Sequence, residues 1–346
     1  FRDLAGISLG AAFVWQITVV TGALAGWGAM SFALAPLLTS AYESLASWRC
    51  IKSLPSLRTD AGGADYWALF RESRWVMLSA AALGLATSGD YFAVGLLTDV
   101  RTAGIYFFAF QLVVAASAPI YGAMEVVLPP LLIRFNDDRQ RQAEACSRAI
   151  RAIIAGGVPA AAAVALSAPL AMHLVWRGAW DMAAPVVQTL AVCIPAWLLV
   201  SAARSLIEAR GLWRVRFFVL GLYGVGGMGS AAVGTLFGSV EAIATCVTVF
   251  YASYAIVVVL MLKKLGVPAL HTIRSLWVPL ALTAVAILVG STAAGAVAPE
   301  RAPWLHDSVR FATFLVVIVL GNFLFLRETW QEIFSLVLKR AGRKAA

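Results

Sequence analysis

The sequence predicts an all-α, polytopic helical membrane protein of about ten spans. Three observations predict it. A mean hydropathy of +0.83, with 61% hydrophobic and 13% charged residues, lies outside the range of soluble domains. Long runs carry no charge at all: Leu4–Tyr42, Ala152–Trp176, Met182–Ala203, Phe217–Val240, Ala242–Leu262 and Ser275–Pro299. And all but four of the 27 Lys and Arg residues fall in alternate loops, the exceptions being Arg101, Arg177, Arg301 and Arg310.

A spanning helix needs about 20 apolar residues, so most of these runs are one span and the first is two. The expected helices cover 4–25, 28–47, 73–98, 103–128, 150–175, 182–204, 214–236, 240–262, 275–297 and 308–326. None shows the alternation of a membrane β-barrel, whose strands are about ten residues long. Basic residues are retained on the cytoplasmic side during insertion, so both ends of the chain are expected in the cytoplasm. The net charge of +9 is then a topology signal. It is not gathered on one soluble module, which excludes a nucleic-acid partner.

Taken in order, the first hairpin holds Gln16 midway along helix 1 and Glu43 at the inner end of helix 2. Loop 48–72 is basic, and its segment 66–71 (Tyr66, Trp67, Phe70, Arg71) reads as interfacial, with aromatics at headgroup depth. The next hairpin carries the main candidates. Asp90 interrupts helix 3, and a centred carboxylate costs about 2.5–3.5 kcal/mol on insertion scales. Asp90 and Gln111 lie at similar distances before and after the 99–102 turn, and are expected to face a shared polar cavity in the outer half of the membrane. Asp90 as a tie between two helices is the competing reading. Glu125, just before Pro129 and Pro130, falls near the inner interface, where a carboxylate reaches the headgroups cheaply.

Residues 134–148 read as a helix start capped by Asn136 or Asp137 and lying on the anionic inner leaflet. Arg204 and Glu208, one turn apart at an inner end, read as an interfacial pair. The glycines 221, 224, 226, 227 and 229 lie inside a span without a preceding soluble strand, so they read as close helix packing and not as a nucleotide loop. Pro36, Pro119, Pro159, Pro169, Pro185, Pro195 and Pro279 permit kinks, which suits alternating access.

Several classes are disfavoured. The outer loops are too short to mount a membrane glycosyltransferase, polymerase or ligase. No phosphate-binding P-loop is present. The three histidines (His173, His271, His306) and four cysteines have neither metal nor redox spacing, so no cofactor, metal or catalytic residue is expected.

Three stretches, TAGIYFFAFQL (102–112), VLPPL (127–131) and RFNDDRQR (134–141), resemble the bacterial polysaccharide-biosynthesis flippases. These belong to the multidrug/oligosaccharidyl-lipid/polysaccharide exporter superfamily, together with multidrug and toxin extrusion transporters and lipid II flippases. SAPL (167–170), VWRGAWDMAAPVVQTLA (175–191) and SLIEARGLWR (205–214) are similar to later parts of that family. Two positions depart from its pattern: Gln111 is often basic in relatives, and Glu125 is not an expected acid.

The resemblance implies two six-helix lobes, often with two extra C-terminal helices. On that map residues 1–47 end the first lobe, 48–72 form a cytoplasmic linker, 73–262 form the second lobe, and 263–346 hold the two extra helices and a cytoplasmic tail. Four helices are then expected before Phe1, an even number that also keeps the true N-terminus cytoplasmic. A 212-residue shift of the first hairpin onto helices 7–8 pairs Arg2 with Arg214, Gly22 with Gly234, Gly26 with Gly238 and Tyr42 with Tyr254, too few matches to establish a repeat.

The implied function is translocation of an undecaprenyl-diphosphate-linked glycan across the bacterial inner membrane. Membrane lipids surround the protein, and polysaccharide polymerase and glycosyltransferases are further implied partners. Asp90, Gln111, Gln16 and Glu125 are the candidates for the substrate or cation pathway. Three alternatives stay open: a cation-coupled multidrug exporter, a membrane glycan polymerase or ligase, and an inactive remnant.

Overall fold

A computed structural model describes residues 2–28, 30–50, 63–297 and 303–325. Residues 51–62 of the basic loop, 298–302 of the last neutral turn, and the tail 327–346 lie outside them. Eleven α-helices are present among the described residues: α1 (Arg2–Leu24), α2 (Met30–Cys50), α3 (Gly63–Leu97), α4 (Val100–Ile133), α5 (Arg139–Trp176), α6 (Ala184–Ala191), α7 (Ile194–Ala209), α8 (Trp213–Thr235), α9 (Val240–Lys264), α10 (Ala269–Val297) and α11 (Pro303–Phe325). Eight are long and apolar enough to cross a membrane, and the α6–α7 pair brings the number to nine. The difference from ten is α2, whose 21 residues include Glu43, Arg49 and several serines.

The expected sixth span is broken. Pro185 and Pro195 both sit in the first turn of their helices, where a missing N–H costs nothing. Pro195 cannot extend α6, so the chain bends by 46° at Val192–Cys193. The N–H groups of Val192 and Cys193 fall back on Thr189 O and Leu190 O.

Two sequence expectations are corrected at helix starts. α5 is capped by Asp138, whose carboxylate accepts from Arg141 N at 3.0 Å, and not by Asn136 or Asp137. Asp138 alone has the extended backbone (φ −126°, ψ 92°) that a cap requires, while the other two lie within the preceding turn. The segment that follows is the start of a continuous 38-residue helix, not a separate interfacial one. At 1.5 Å per residue α5 is about 57 Å long, so its first turns project beyond a hydrocarbon layer of about 30 Å. Tyr66–Arg71 likewise belongs to the first turns of the 35-residue α3.

The chain divides into two compact units, Phe1–Phe70 and Arg71–Ala346. In the first, α1 and α2 form a hairpin closed by small residues. A side chain at Gly22 would meet Ser31, and one at Gly10 would meet the Tyr42 ring. A cleft lined by Ile7, Tyr42, Leu45 and Arg49 opens at its basic end.

In the second unit the core gathers on α4, α5, α7 and α9 around Tyr106, Leu132, Ile150, Leu198, Leu206 and Ile243. α10 and α11 pack on α5 through Leu166, Ala286, Phe314 and Ile318. Within the glycine run, a Cβ on Gly224 would lie 2.8 Å from Ala86 N and 2.9 Å from the Leu85 carbonyl carbon, so α8 meets α3 backbone to backbone. Gly226 and Gly227 receive the Phe250 and Tyr251 rings, whereas Gly221 and Gly229 face open space.

Candidate functional site

A cavity of about 380 Å³ opens inside the second unit. Its wall follows helical periodicity. On α4 the lining residues Phe110, Gln111, Val114, Ser117, Ala118 and Tyr121 recur every three or four positions, which is one stripe of the helix. On α7 the same spacing selects Trp197, Val200, Ser201 and Arg204. Thr87 of α3, Tyr223 of α8 and Tyr251 of α9 complete the ring. α4 runs from the neutral face of the protein toward the basic one, so Gln111 lies toward the neutral end. Tyr121 and Arg204 lie toward the basic end.

Four charges form a chain at the basic end. Arg204 Nη2 pairs with Glu125 Oε1. Arg204 Nε lies 3.4 Å from Glu208 Oε1, and the same oxygen is 2.9 Å from Arg216 Nε. Arg216 Nη1 donates to Ser79 Oγ at 3.0 Å. The Arg204 guanidinium stands over the Tyr121 ring at 5.9 Å, and Arg216 over Trp213 at 5.3 Å. The chain thus ties α4, α7, α8 and α3 together. Two arginines and two glutamates cancel, which is how ionised groups are tolerated at this depth. The expected Arg204–Glu208 pair is present. Glu125, read from the sequence as an acid reaching for the headgroups, instead serves Arg204.

Beyond the end of α7, Arg210 fastens the basic-face turns. Its Nε donates to Gln142 Oε1 at 2.8 Å and its Nη1 to Leu265 O at 2.8 Å. Gln142, fully buried, donates onward to Leu132 O. Desolvation by burial, with Arg139 nearby, lowers the Arg210 pKa.

Asp90 is disposed differently. It is 2% exposed and is not among the residues lining this cavity, whereas Gln111 is. Its Oδ2 accepts the Tyr106 hydroxyl at 3.0 Å and its Oδ1 accepts Tyr91 N at 2.9 Å. Tyr106 is fully buried and packs against Phe110, which packs against Trp197. Of these rings Phe110 and Trp197 line the cavity, while Tyr106, the partner of Asp90, does not. Geometrically Asp90 links α3 to α4, while the exposed Gln111 faces the cavity. Gln16 belongs to the first unit and is exposed on α1.

Residues that the sequence reading passed over carry much of this site. Tyr106, Trp197, Tyr223 and Tyr251 look like ordinary apolar-helix aromatics. Ser79 and Arg216 gain meaning only through partners more than 100 positions apart. Ser201 is 1% exposed, and its hydroxyl has no hydrogen-bond partner among the described residues, although the residue borders the cavity. Among the described residues no group of three His, Cys, Asp or Glu side chains gathers as a metal site would need. The arrangement offers an aromatic-walled chamber with a compensated cation at one end.

Residues 1–185 match the model of a family described as polysaccharide biosynthesis protein. Among solved structures the chain is similar to the lipid II flippase MurJ in an inward closed conformation. The TM-score is 0.66 at 11% identity, covering 91% of this chain and 66% of that one. Identity so low carries the fold alone, and the all-helical membrane fold expected from the sequence is the fold of that flippase. The chain spans just under two thirds of the flippase's length. No curated protein matches the chain by sequence.

Proposed function

The chain belongs to the polysaccharide biosynthesis protein family, and from that premise we propose that it translocates a lipid-diphosphate-linked oligosaccharide across the bacterial inner membrane. The observation that carries this reading is the cavity walled by α3, α4, α7, α8 and α9, with Arg204 as its one charged lining residue among the described residues. The glycan headgroup crosses through such a chamber while the lipid tail stays in the bilayer. No bond is made or broken. The basic face, with Arg134, Arg139, Arg141 and Arg148, faces the cytoplasm by the positive-inside rule. The residues to 47 end a first lobe, and those from 73 to 262 form a second. A cation gradient or the membrane potential supplies the drive, the latter worth about 2.3 kcal/mol per charge per 100 mV. Polymerase and glycosyltransferases then act on the same lipid-linked glycan before and after transport.

One observation favours a second reading. Phe110, Trp197, Tyr223 and Tyr251 give the cavity an aromatic wall that also suits a flat organic cation, the cargo of a multidrug exporter. A single assay separates the two. Full-length protein is reconstituted in vesicles containing a fluorescent lipid-diphosphate oligosaccharide, and a membrane-impermeant quencher reports its leaflet. Protein-dependent movement of the glycan lipid is expected. Transport of a cationic dye without glycan movement would establish the exporter reading instead.

A further inference from the structure

We propose that Glu125 is a displaceable counter-ion of Arg204, so that the cavity accepts multiply charged phosphate anions and turns away singly charged ones. The nature of the cargo rests on the flippase reading above. The selectivity itself rests on the ion-pair chain.

The four members of that chain are not equally held. Glu208 is shared by Arg204 and Arg216 and its side chain is 24% exposed. Among the described residues Glu125 pairs with Arg204 alone, and at 36% its side chain is the most exposed of the four. Glu125 is therefore the least enclosed member and the one freest to leave the chain. Arg204 stays behind, 11% exposed, fixed by Glu208 and by the Tyr121 ring one turn before Glu125 on α4. Ser201, one turn before Arg204 on α7, adds a hydroxyl with no partner among the described residues at the same stretch of wall.

An anion reaching Arg204 must displace a carboxylate. A singly charged phosphodiester, such as a common phospholipid headgroup, exchanges like for like and gains little. A diphosphate brings two or more charges, and its attraction to the guanidinium scales with them where screening by water is weak. The Ser201 hydroxyl adds a donor that a phosphate oxygen can use. A bilayer is crowded with phosphodiesters, so a filter of this kind keeps the chamber free for the rarer diphosphate lipid.

The test is calorimetric titration of purified full-length protein with inorganic pyrophosphate and with dimethyl phosphate. Wild-type protein is expected to bind pyrophosphate in clear preference. Glu125→Gln should bind both more tightly, each by a factor on the order of fivefold as for loss of one partly exposed charge partner, so that dimethyl phosphate, turned away by wild-type protein, becomes a measurable ligand. Glu125→Asp, which withdraws the carboxylate by one methylene, should shift both affinities less in the same direction. It decides the matter if Glu125→Gln does not fold. Arg204→Gln should bind neither anion. The proposal is overturned if wild-type protein binds neither anion, or if a folded Glu125 variant binds both anions no more tightly than wild-type protein does. Intact anion selectivity without glycan transport would instead overturn the flippase reading and leave this one standing.

Discussion

Asp90 on α3 and Arg204 on α7 lie toward opposite ends of the second unit and meet the cost of charge in a membrane by different means. Asp90 is enclosed and, among the described residues, is held by neutral donors, the Tyr106 hydroxyl and the Tyr91 backbone. Arg204 is set in a chain of alternating charges and keeps one face on the cavity. An enclosed group of the first kind fastens helices. A compensated group of the second kind can exchange partners, because a competing anion can take the place of a carboxylate. The two ends are joined along α3, with Ser79 at one, Asp90 at the other, and the Gly224 contact at Leu85–Ala86 between them.

The largest expected effect is at the exchangeable end. Arg204→Gln should reduce glycan translocation on the order of 100-fold, about 2.7 kcal/mol. It should lower stability by about 1–3 kcal/mol, less than for a fully buried pair because the Glu125 side chain is partly exposed. Transport in vesicles and a thermal melt read the two. Restoring stability with the double variant Arg204→Gln/Glu125→Gln while transport stays lost would confirm that charge compensation and cargo contact are separate duties of Arg204. Next comes the link between the ends. Gly224→Val drives a side chain into the α3 backbone and should cost about 1–3 kcal/mol or more by overpacking. Both ends should loosen together, visible as faster amide exchange at Ser79 and at Tyr91.

At the enclosed end the effect is smaller. Asp90→Asn keeps the shape but leaves an amide hydrogen without an acceptor. It should cost about 1–3 kcal/mol and lower translocation by roughly tenfold, with membrane insertion unchanged. Unchanged transport would reduce Asp90 to a tie between helices and sharpen the contrast with Arg204.

Smallest is Asp99, which caps α4 outside the wall altogether. Hydrogen bonds from the Thr102 hydroxyl and backbone, then from Arg101 N, hold its carboxyl below the ordinary value of 3.8. A depressed folded pKa gives stabilisation that is fully present above 3.8 and is lost as pH falls through the lower folded value. Asp99→Ala should fray the first turn of α4, read as faster amide exchange at Arg101 and Thr102, and should leave transport unchanged.

The membrane fold was legible because its signals are local. Uncharged runs of span length and the alternation of basic loops need no partner to be read. Asp90 stood out for the same reason, as a lone carboxylate in an apolar run. The broken sixth span was half legible: Pro185 and Pro195 were visible as kink formers, but not that each would start a helix. The charge chain was illegible beyond Arg204–Glu208, since Glu125, Ser79 and Arg216 come from three other helices and meet only in the packed unit. Depth matching alone placed Asp90 beside Gln111. It could not show which side of α3 turns toward Tyr106.

The most direct test fills the chamber without touching a charge. Ala118 lines the cavity on α4 and is exposed to it. In full-length protein, Ala118→Trp should lower leaflet transfer of a lipid-diphosphate oligosaccharide in vesicles at least about tenfold, with membrane insertion and melting unchanged. Transfer at the wild-type rate with the chamber so filled would contradict a glycan path through this cavity.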